Sequence, residues 1–157
     1  MLTPLGWLYG KIINKRNDLY KNGSLKSACL GVPTISVGNI TVGGTGKTPL
    51  VAYIAEILAE LDQKVCIISR GYKRENEKER VLVSDSKNVL VDVRKAGDEP
   101  FELANKLLGK AFVVSDANRV EAGLWAKKEL GITAFVLDDA FQHLKVQRDL
   151  DIVTIDA

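Results

Sequence analysis

The sequence predicts an α/β protein: a three-layer sandwich around a mainly parallel sheet, preceded by an N-terminal amphipathic helix. Three observations carry this. A short apolar strand over 34–37 runs into a glycine-rich loop and then an amphipathic helix over 50–61. Apolar, β-branched runs over 64–69, 111–115, 134–137 and 151–155 read as further strands. Helical patterns over 96–108 and 117–130 separate them, and strands alternating with helices predict a parallel sheet with right-handed crossovers. The 157 residues suffice for a real core.

Residues 1–28 read as an N-terminal unit ahead of a core over 29–157. Apolar residues of this segment, including Leu5, Leu8 and Ile12, recur at helical spacing. Lys11, Lys15, Arg16 and Lys21 stand among them against one acid, Asp18, and Trp7 and Tyr9 are amphipathic rings. Two readings fit: a helix lying on an anionic membrane surface, or a helix packed on its own domain with a solvated basic face. The charges follow the apolar residues, which is the reverse of a secretory signal.

The loop Val37-Gly38-Asn39-Ile40-Thr41-Val42-Gly43-Gly44-Thr45-Gly46-Lys47-Thr48-Pro49 is the strongest local signal. Strand, glycine-rich loop, Lys-Thr and helix together make a phosphate cradle. Backbone N–H groups and the helix N-terminus attract the anion, Lys47 reaches the β/γ-phosphates, and the Thr48 hydroxyl suits Mg²⁺. The core is therefore P-loop NTPase-like. The usual spacing would place glycine at 41, where this chain has Thr41.

The remaining elements follow from their punctuation. Residues 70–80 are polar and loop-like; 80–84 and 89–93 read as a hairpin around Asp85-Ser86-Lys87-Asn88. Ala96-Gly97-Asp98-Glu99-Pro100 opens a helix, with Asp98 as N-cap and proline in the first turn. Ser115 or Asp116 caps the helix over 117–130, and Gly131 stops it. The ending just after a strand suggests the N-terminal part of a longer protein.

Composition excludes several classes. A net charge of +2 gives no global field for nucleic acid. Cys29 and Cys66 lie far apart, fitting reduced thiols rather than a disulfide framework. One histidine, His143, excludes a His-rich metal site, and no apolar run approaches the ~20 residues that span a bilayer.

Polar clusters follow the predicted strands, and a doubly wound sheet gathers ligands at those carboxyl ends. Asp138-Asp139 after the apolar 135–137 is a Walker-B-like pair that suits Mg²⁺; acidic pairs also serve as turns or caps. Asp98 either caps its helix or supplies the carboxylate that a kinase needs near its acceptor hydroxyl. Arg70, Tyr72 and Arg119 are candidates for an anionic acceptor, or are structural. His143 follows the acidic pair, where a lone histidine is more often structural.

Together these motifs resemble the tetraacyldisaccharide 4′-kinase family, the lipid A 4′-kinases. The carrying residues are the 37–49 loop, Ser69-Arg70-Gly71-Tyr72-Lys73-Arg74, Ala96-Gly97-Asp98-Glu99-Pro100, Val136-Leu137-Asp138-Asp139-Ala140-Phe141-Gln142-His143 and Arg148-Asp149-Leu150-Asp151, with Pro4-Leu5-Gly6-Trp7-Leu8-Tyr9 at the start. The resemblance implies an ATP- and Mg²⁺-dependent lipid kinase, peripheral on the cytoplasmic face of the inner membrane. Its acceptor would be the 4′-hydroxyl of a tetraacylated glucosamine disaccharide 1-phosphate in lipid A biosynthesis. By motif position, Thr41, Val42, Gly43, Gly44, Thr45, Gly46, Lys47 and Thr48 would bind ATP, and Asp98 would be the base. Thr48, Asp138, Asp139 and Gln142 would serve the metal; Asn39, Arg70, Tyr72, Arg119 and His143 would face the lipid headgroup.

Two departures stand out. The family motif has glycine where this chain has Ala140, so a left-handed backbone there would strain alanine. Family members run to roughly twice this length, so the C-terminal lobe, including a histidine that partners the base, would lie outside this chain. Two further readings are a MinD-like membrane-associated ATPase switch, which would have lysine where Val42 stands, and a truncated ATP-binding fragment without activity of its own.

Overall fold

The computed structural model describes residues 4–40 and 46–155. The expectations at Thr41, Val42, Gly43, Gly44 and Thr45 fall outside the described residues. Eleven elements follow in order: α1 (Pro4–Lys21), β1 (Thr34–Asn39), α2 (Lys47–Glu60), β2 (Val65–Ser69), β3 (Val81–Ser84), α3 (Val93–Ala96), α4 (Asp98–Lys106), β4 (Ala111–Ser115), α5 (Arg119–Leu130), β5 (Ala134–Leu137) and β6 (Leu150–Thr154).

The six strands form one sheet in the order β3-β4-β2-β5-β1-β6. All pairings are parallel except β3 with β4. The period-two alternation of a strand explains the layers. On β2, Val65 and Ile67 join one buried cluster while Cys66 and Ile68 join another. The first cluster takes Val51, Ala52, Ile54 and Ala55 from α2 and Leu103 and Ala104 from α4; the second takes Ala122 and Ala126 from α5. Helices thus cover both faces, and the central strands are apolar on both sides, as parallel strands are. Cys66 is fully buried, and burial pushes its thiol well above the usual range.

Three expectations are corrected. The second arm of the 80–93 hairpin reduces to one bridge, Ser84 with Val89; residues 93–96 form the short helix α3, capped by Asp92, which accepts from the Lys95 N–H. Helix α5 is capped by Asn118 rather than Ser115 or Asp116. Those two are already engaged: the Ser115 Oγ donates to the Ala96 carbonyl, and Asp116 accepts from Arg80 Nε and the Asn118 N–H. Nor does Asp98 cap α4. The cap is Gly97, and Asp98 is the first helical residue.

Candidate active site

The carboxyl ends of β1, β2 and β5 and the start of α2 surround a cavity of about 510 Å³. Its lining brings together Asn39, Lys47, Arg70, Arg119, Asp139, Gln142 and His143, all expected from the sequence, with Arg16, Ile40 and Phe141. Four of these side chains are cationic at neutral pH (Arg16, Lys47, Arg70 and Arg119) and one is acidic, so the cavity suits an anion.

Each side chain is positioned by its element. Strand β1 continues two residues past the expected end, through Gly38 to Asn39. Gly38 must lack a side chain, because a Cβ there would lie 2.6 Å from the Phe141 Cβ and 2.9 Å from its backbone nitrogen. The loop after β5 therefore packs directly on the end of β1. Helix α2 begins at Lys47 because Gly46 adopts the left-handed conformation as its cap. The Lys47 ammonium thus stands at a helix N-terminus, 3.3 Å from the Asp139 carboxylate. Thr48 follows in the same turn and is half-buried.

Asp138 and Asp139 differ sharply. Asp138 is buried and accepts a hydrogen bond of 2.9 Å from the Ser69 Oγ. Burial, assisted by the charge of Glu99, pushes its carboxyl up to about 6, against the Ser69 bond. Asp139 is exposed and has φ of 46°. It is the left-handed residue of this loop. Ala140 is not; it is buried, donates its N–H to the Val37 carbonyl and packs among Phe135 and Leu137. The strain anticipated at Ala140 therefore does not arise: the backbone turns one residue earlier, at an aspartate, a type that tolerates this region.

Arg119 is the buried organiser of the loop. It opens α5, and its Nη2 donates to the carbonyls of Asp138 (2.7 Å) and Asp139 (3.1 Å). Its Nε is buried without a partner among the described residues, as is Nε2 of His143. Burial, followed by the positive charges of Arg119, Lys145, Arg16 and Arg148, holds His143 down to about 4, so the ring is neutral at pH 7.

Among the described residues, five expected ones stand apart from the cavity lining: Gly46, Thr48, Tyr72, Asp98 and Asp138. Tyr72 is 63% exposed, with Lys73 near its ring. Asp98 is exposed at the start of α4, and Asp138 is buried. The charge of Glu99, beside Asp98, nevertheless acts on Asp138. The residue missed by sequence reading is Arg16. It lies 126 positions from Gln142, whose carbonyl accepts from its Nη2 at 2.8 Å, and it read only as part of a basic helix face. No local pattern signals such a contact.

Residues 1–157 match the family described as tetraacyldisaccharide-1-P 4′-kinase. The tetraacyldisaccharide 4′-kinase of Aquifex aeolicus is 49% identical over 154 residues, covering 98% of this chain and 48% of that protein. The enzyme of the same name from Syntrophotalea carbinolica is 42% identical over 156 residues, covering 99% of this chain and 43% of that protein. The crystal structure of the Aquifex aeolicus protein in complex with ATP superposes with a TM-score of 0.88 over 96% of this chain and 46% of that one. The chain spans about half the length of the curated relatives it matches. With a family model that matches residues 1–157 and relatives 42–49% identical over nearly all of it, the chain belongs to the tetraacyldisaccharide-1-P 4′-kinase family.

Proposed function

We propose that, in the full-length protein, this region binds Mg²⁺ and ATP and directs the γ-phosphoryl group to the 4′-hydroxyl of a tetraacylated glucosamine disaccharide 1-phosphate, a step of lipid A biosynthesis. The observation that carries the reading is the cationic cavity, which joins the start of α2 to the loop after β5 and to Arg70 and Arg119.

The residues present fit the nucleotide. Lys47 stands at a helix N-terminus, a Cβ at Gly46 would meet no atom within 4 Å, and the unpartnered Nε of Arg119 and Nε2 of His143 offer polar groups beside the cavity. The residues at 41–48, with Lys47 as the phosphate anchor, hold the nucleotide in this reading. Thr48, Asp138, Asp139 and Gln142 hold the metal; Mg²⁺ needs only one or two carboxylates beside phosphate and water. Bound Mg²⁺ and ATP supply the transferable group and neutralise charge as it develops. A cation beside Asp138 favours its ionised form, offsetting the burial that raises it. Asp98 is the base that orients the acceptor hydroxyl and takes its proton, and Asn39, Arg70, Tyr72, Arg119 and His143 receive the headgroup.

Residues 1–28 dock the protein peripherally on the cytoplasmic face of the inner membrane, where the acyl chains of the acceptor are embedded. Trp7 and Ile12 are each 58% exposed, and Lys11 lies 4.0 Å over the Trp7 ring, which suits an interface. Among the described residues no helix is long and apolar enough to cross a membrane.

The test is transfer of radiolabelled γ-phosphate from ATP to tetraacyldisaccharide 1-phosphate by the full-length protein. Transfer to the 4′-position is expected, and its absence removes the reading. Asp98→Ala lowers kcat by about 10²–10⁴ and leaves nucleotide affinity within about twofold, as expected for an interaction made only in the transition state.

A further inference from the structure

Asp98 has its place set by the backbone alone. Its carboxylate makes no hydrogen bond or ion pair among the described residues, and it does not cap its helix. The direction of such a side chain depends on how firmly its Cα is held. The preceding residue, Gly97, has φ 90° and ψ 154°, a region essentially restricted to glycine. Such conformations persist only where the surroundings over-determine them.

Those surroundings are specific. Gly97 stands on Gly71: a Cβ at 97 would lie 3.1 Å from the Gly71 Cα. A Cβ on Gly71 would lie 2.9 Å from the Ala96 carbonyl oxygen and 1.9 Å from the Ser115 Oγ. The Ser115 Oγ in turn donates to the Ala96 carbonyl at 2.9 Å, and Ser115 is fully buried. The two motifs Ser69-Arg70-Gly71-Tyr72 and Ala96-Gly97-Asp98-Glu99-Pro100 therefore meet backbone to backbone, with the hydroxyl at the end of β4 closing the contact.

The register adds a second fact. Ser115 on β4 pairs directly with Ser69 on β2. The Ser69 hydroxyl holds the Asp138 carboxylate at 2.9 Å. Two adjacent serines at the carboxyl edge of the sheet thus each anchor one acidic position, Ser69 through the side chain of Asp138 and Ser115 through the backbone two residues before Asp98.

We infer that Ser115, with the Gly71–Gly97 contact, is a positioning element for Asp98, fixing the backbone from which its carboxylate projects. This rests on the reading of Asp98 as the base. Ser115 touches neither nucleotide nor acceptor; it acts through the Ala96 carbonyl. Misplacing a reacting group by about 1 Å costs on the order of a hundredfold in rate, so loss of the hydroxyl is felt in turnover rather than in binding.

The experiment compares four variants of the full-length protein with tetraacyldisaccharide 1-phosphate as acceptor. Ser115→Ala lowers kcat by about tenfold to a hundredfold with KM for ATP within about twofold. Gly97→Ala, which adds both backbone strain and a contact with Gly71, lowers kcat further. Gly109→Ala is the control: it also has a positive φ, 82°, with no atom within 4 Å of its Cβ, so it adds backbone strain away from the site and leaves kcat unchanged. The deciding variant combines Ser115→Ala with Asp98→Ala. Asp98→Ala retains a residual rate about 10²–10⁴ below the parent, and if Ser115 acts only through Asp98, the double variant equals it. Wild-type kcat for Ser115→Ala, or a further loss in the double variant, overturns the inference and leaves the base assignment standing. Unchanged turnover in Asp98→Ala overturns both. Retained ATP affinity in Ser115→Ala and Gly97→Ala separates mispositioning from failure to fold.

Discussion

Helices α1 and α2 both carry apolar residues at helical spacing, yet they end in different environments. Helix α2 sets Val51, Ala52, Ile54 and Ala55 against the sheet, each at most 8% exposed. Helix α1 leaves Trp7 and Ile12 each 58% exposed and meets the core from its second half, where Ile13, Arg16 and Tyr20 line an apolar cavity of about 500 Å³ with Phe141 and Leu144. Periodicity reports that a helix has an apolar face but not what covers it. For α2 the short connection from β1 leaves one choice, the sheet. For α1 the second half faces the loop after β5, and Trp7 and Ile12 of the first half point outward, which leaves open what covers them.

The largest test of this contrast is at the helix starts. Lys47→Met on α2 removes the phosphate anchor and the pair with Asp139, and turnover of the full-length protein falls by about 10²–10³ in a phosphoryl-transfer assay. Lys11→Met, on the exposed part of α1, leaves turnover in detergent micelles unchanged. An equal loss from both would make α1 part of the catalytic machinery.

Stability comes next. Phe135→Ala, in the sheet beneath α5, costs about 3–5 kcal/mol, and Val51→Ala on α2 about 1–2 kcal/mol, by urea unfolding. Ile12→Ala costs under about 0.5 kcal/mol, since its side chain is mostly solvated. Conversely, replacing Trp7 and Ile12 together with serine lowers association with anionic lipid vesicles by about tenfold or more. Vesicle association indifferent to both residues would leave α1 as a helix packed only on its own domain.

A smaller effect lies in pH, measured without Mg²⁺. Asp138 titrates near 6 in the fold against 3.8 ordinarily, so its burial favours folding below that range and the gain is lost as pH rises through 6. The shift corresponds to roughly 3 kcal/mol at most. His143 titrates near 4 against 6.5 ordinarily, so stability is lost as pH falls from 6.5 toward 4. The two slopes oppose each other between pH 4 and 6. Urea midpoints of His143→Gln should therefore fall with rising pH over that window more steeply than those of the parent chain. Smallest of all, Arg16→Gln on α1 lets His143 rise slightly toward its ordinary value, read by NMR titration, because burial, Arg119 and Lys145 act on it more strongly than Arg16.

Much of this protein is legible in one dimension. The strands over 111–115 and 134–137 stand where their runs of β-branched and apolar residues put them, and Gly131 ends α5 in the left-handed conformation expected of a stop. Errors fall where side chains have competing partners. Ser115 and Asp116 look like caps, but a neighbouring segment and Arg80 take them first, and the cap passes to Asn118. Asp98 looks like a cap beside Pro100, but Gly97 takes that place and leaves the carboxylate exposed.

The amino-acid sequence by itself determined the α/β class, the glycine-rich turn from β1 into α2 and most of the residues that line the cavity. These depend on local chemistry: alternation, glycine placement, and polar residues just after apolar strands. Only the tertiary structure decided that Asp138 is buried and Asp139 exposed, that Arg119 grips the loop through its carbonyls, that Arg16 reaches Gln142, and that Gly71 and Gly97 lie against each other beneath Ser115. Each of those depends on strand order and register, which bring together groups separated by tens of residues or more and which no local pattern encodes.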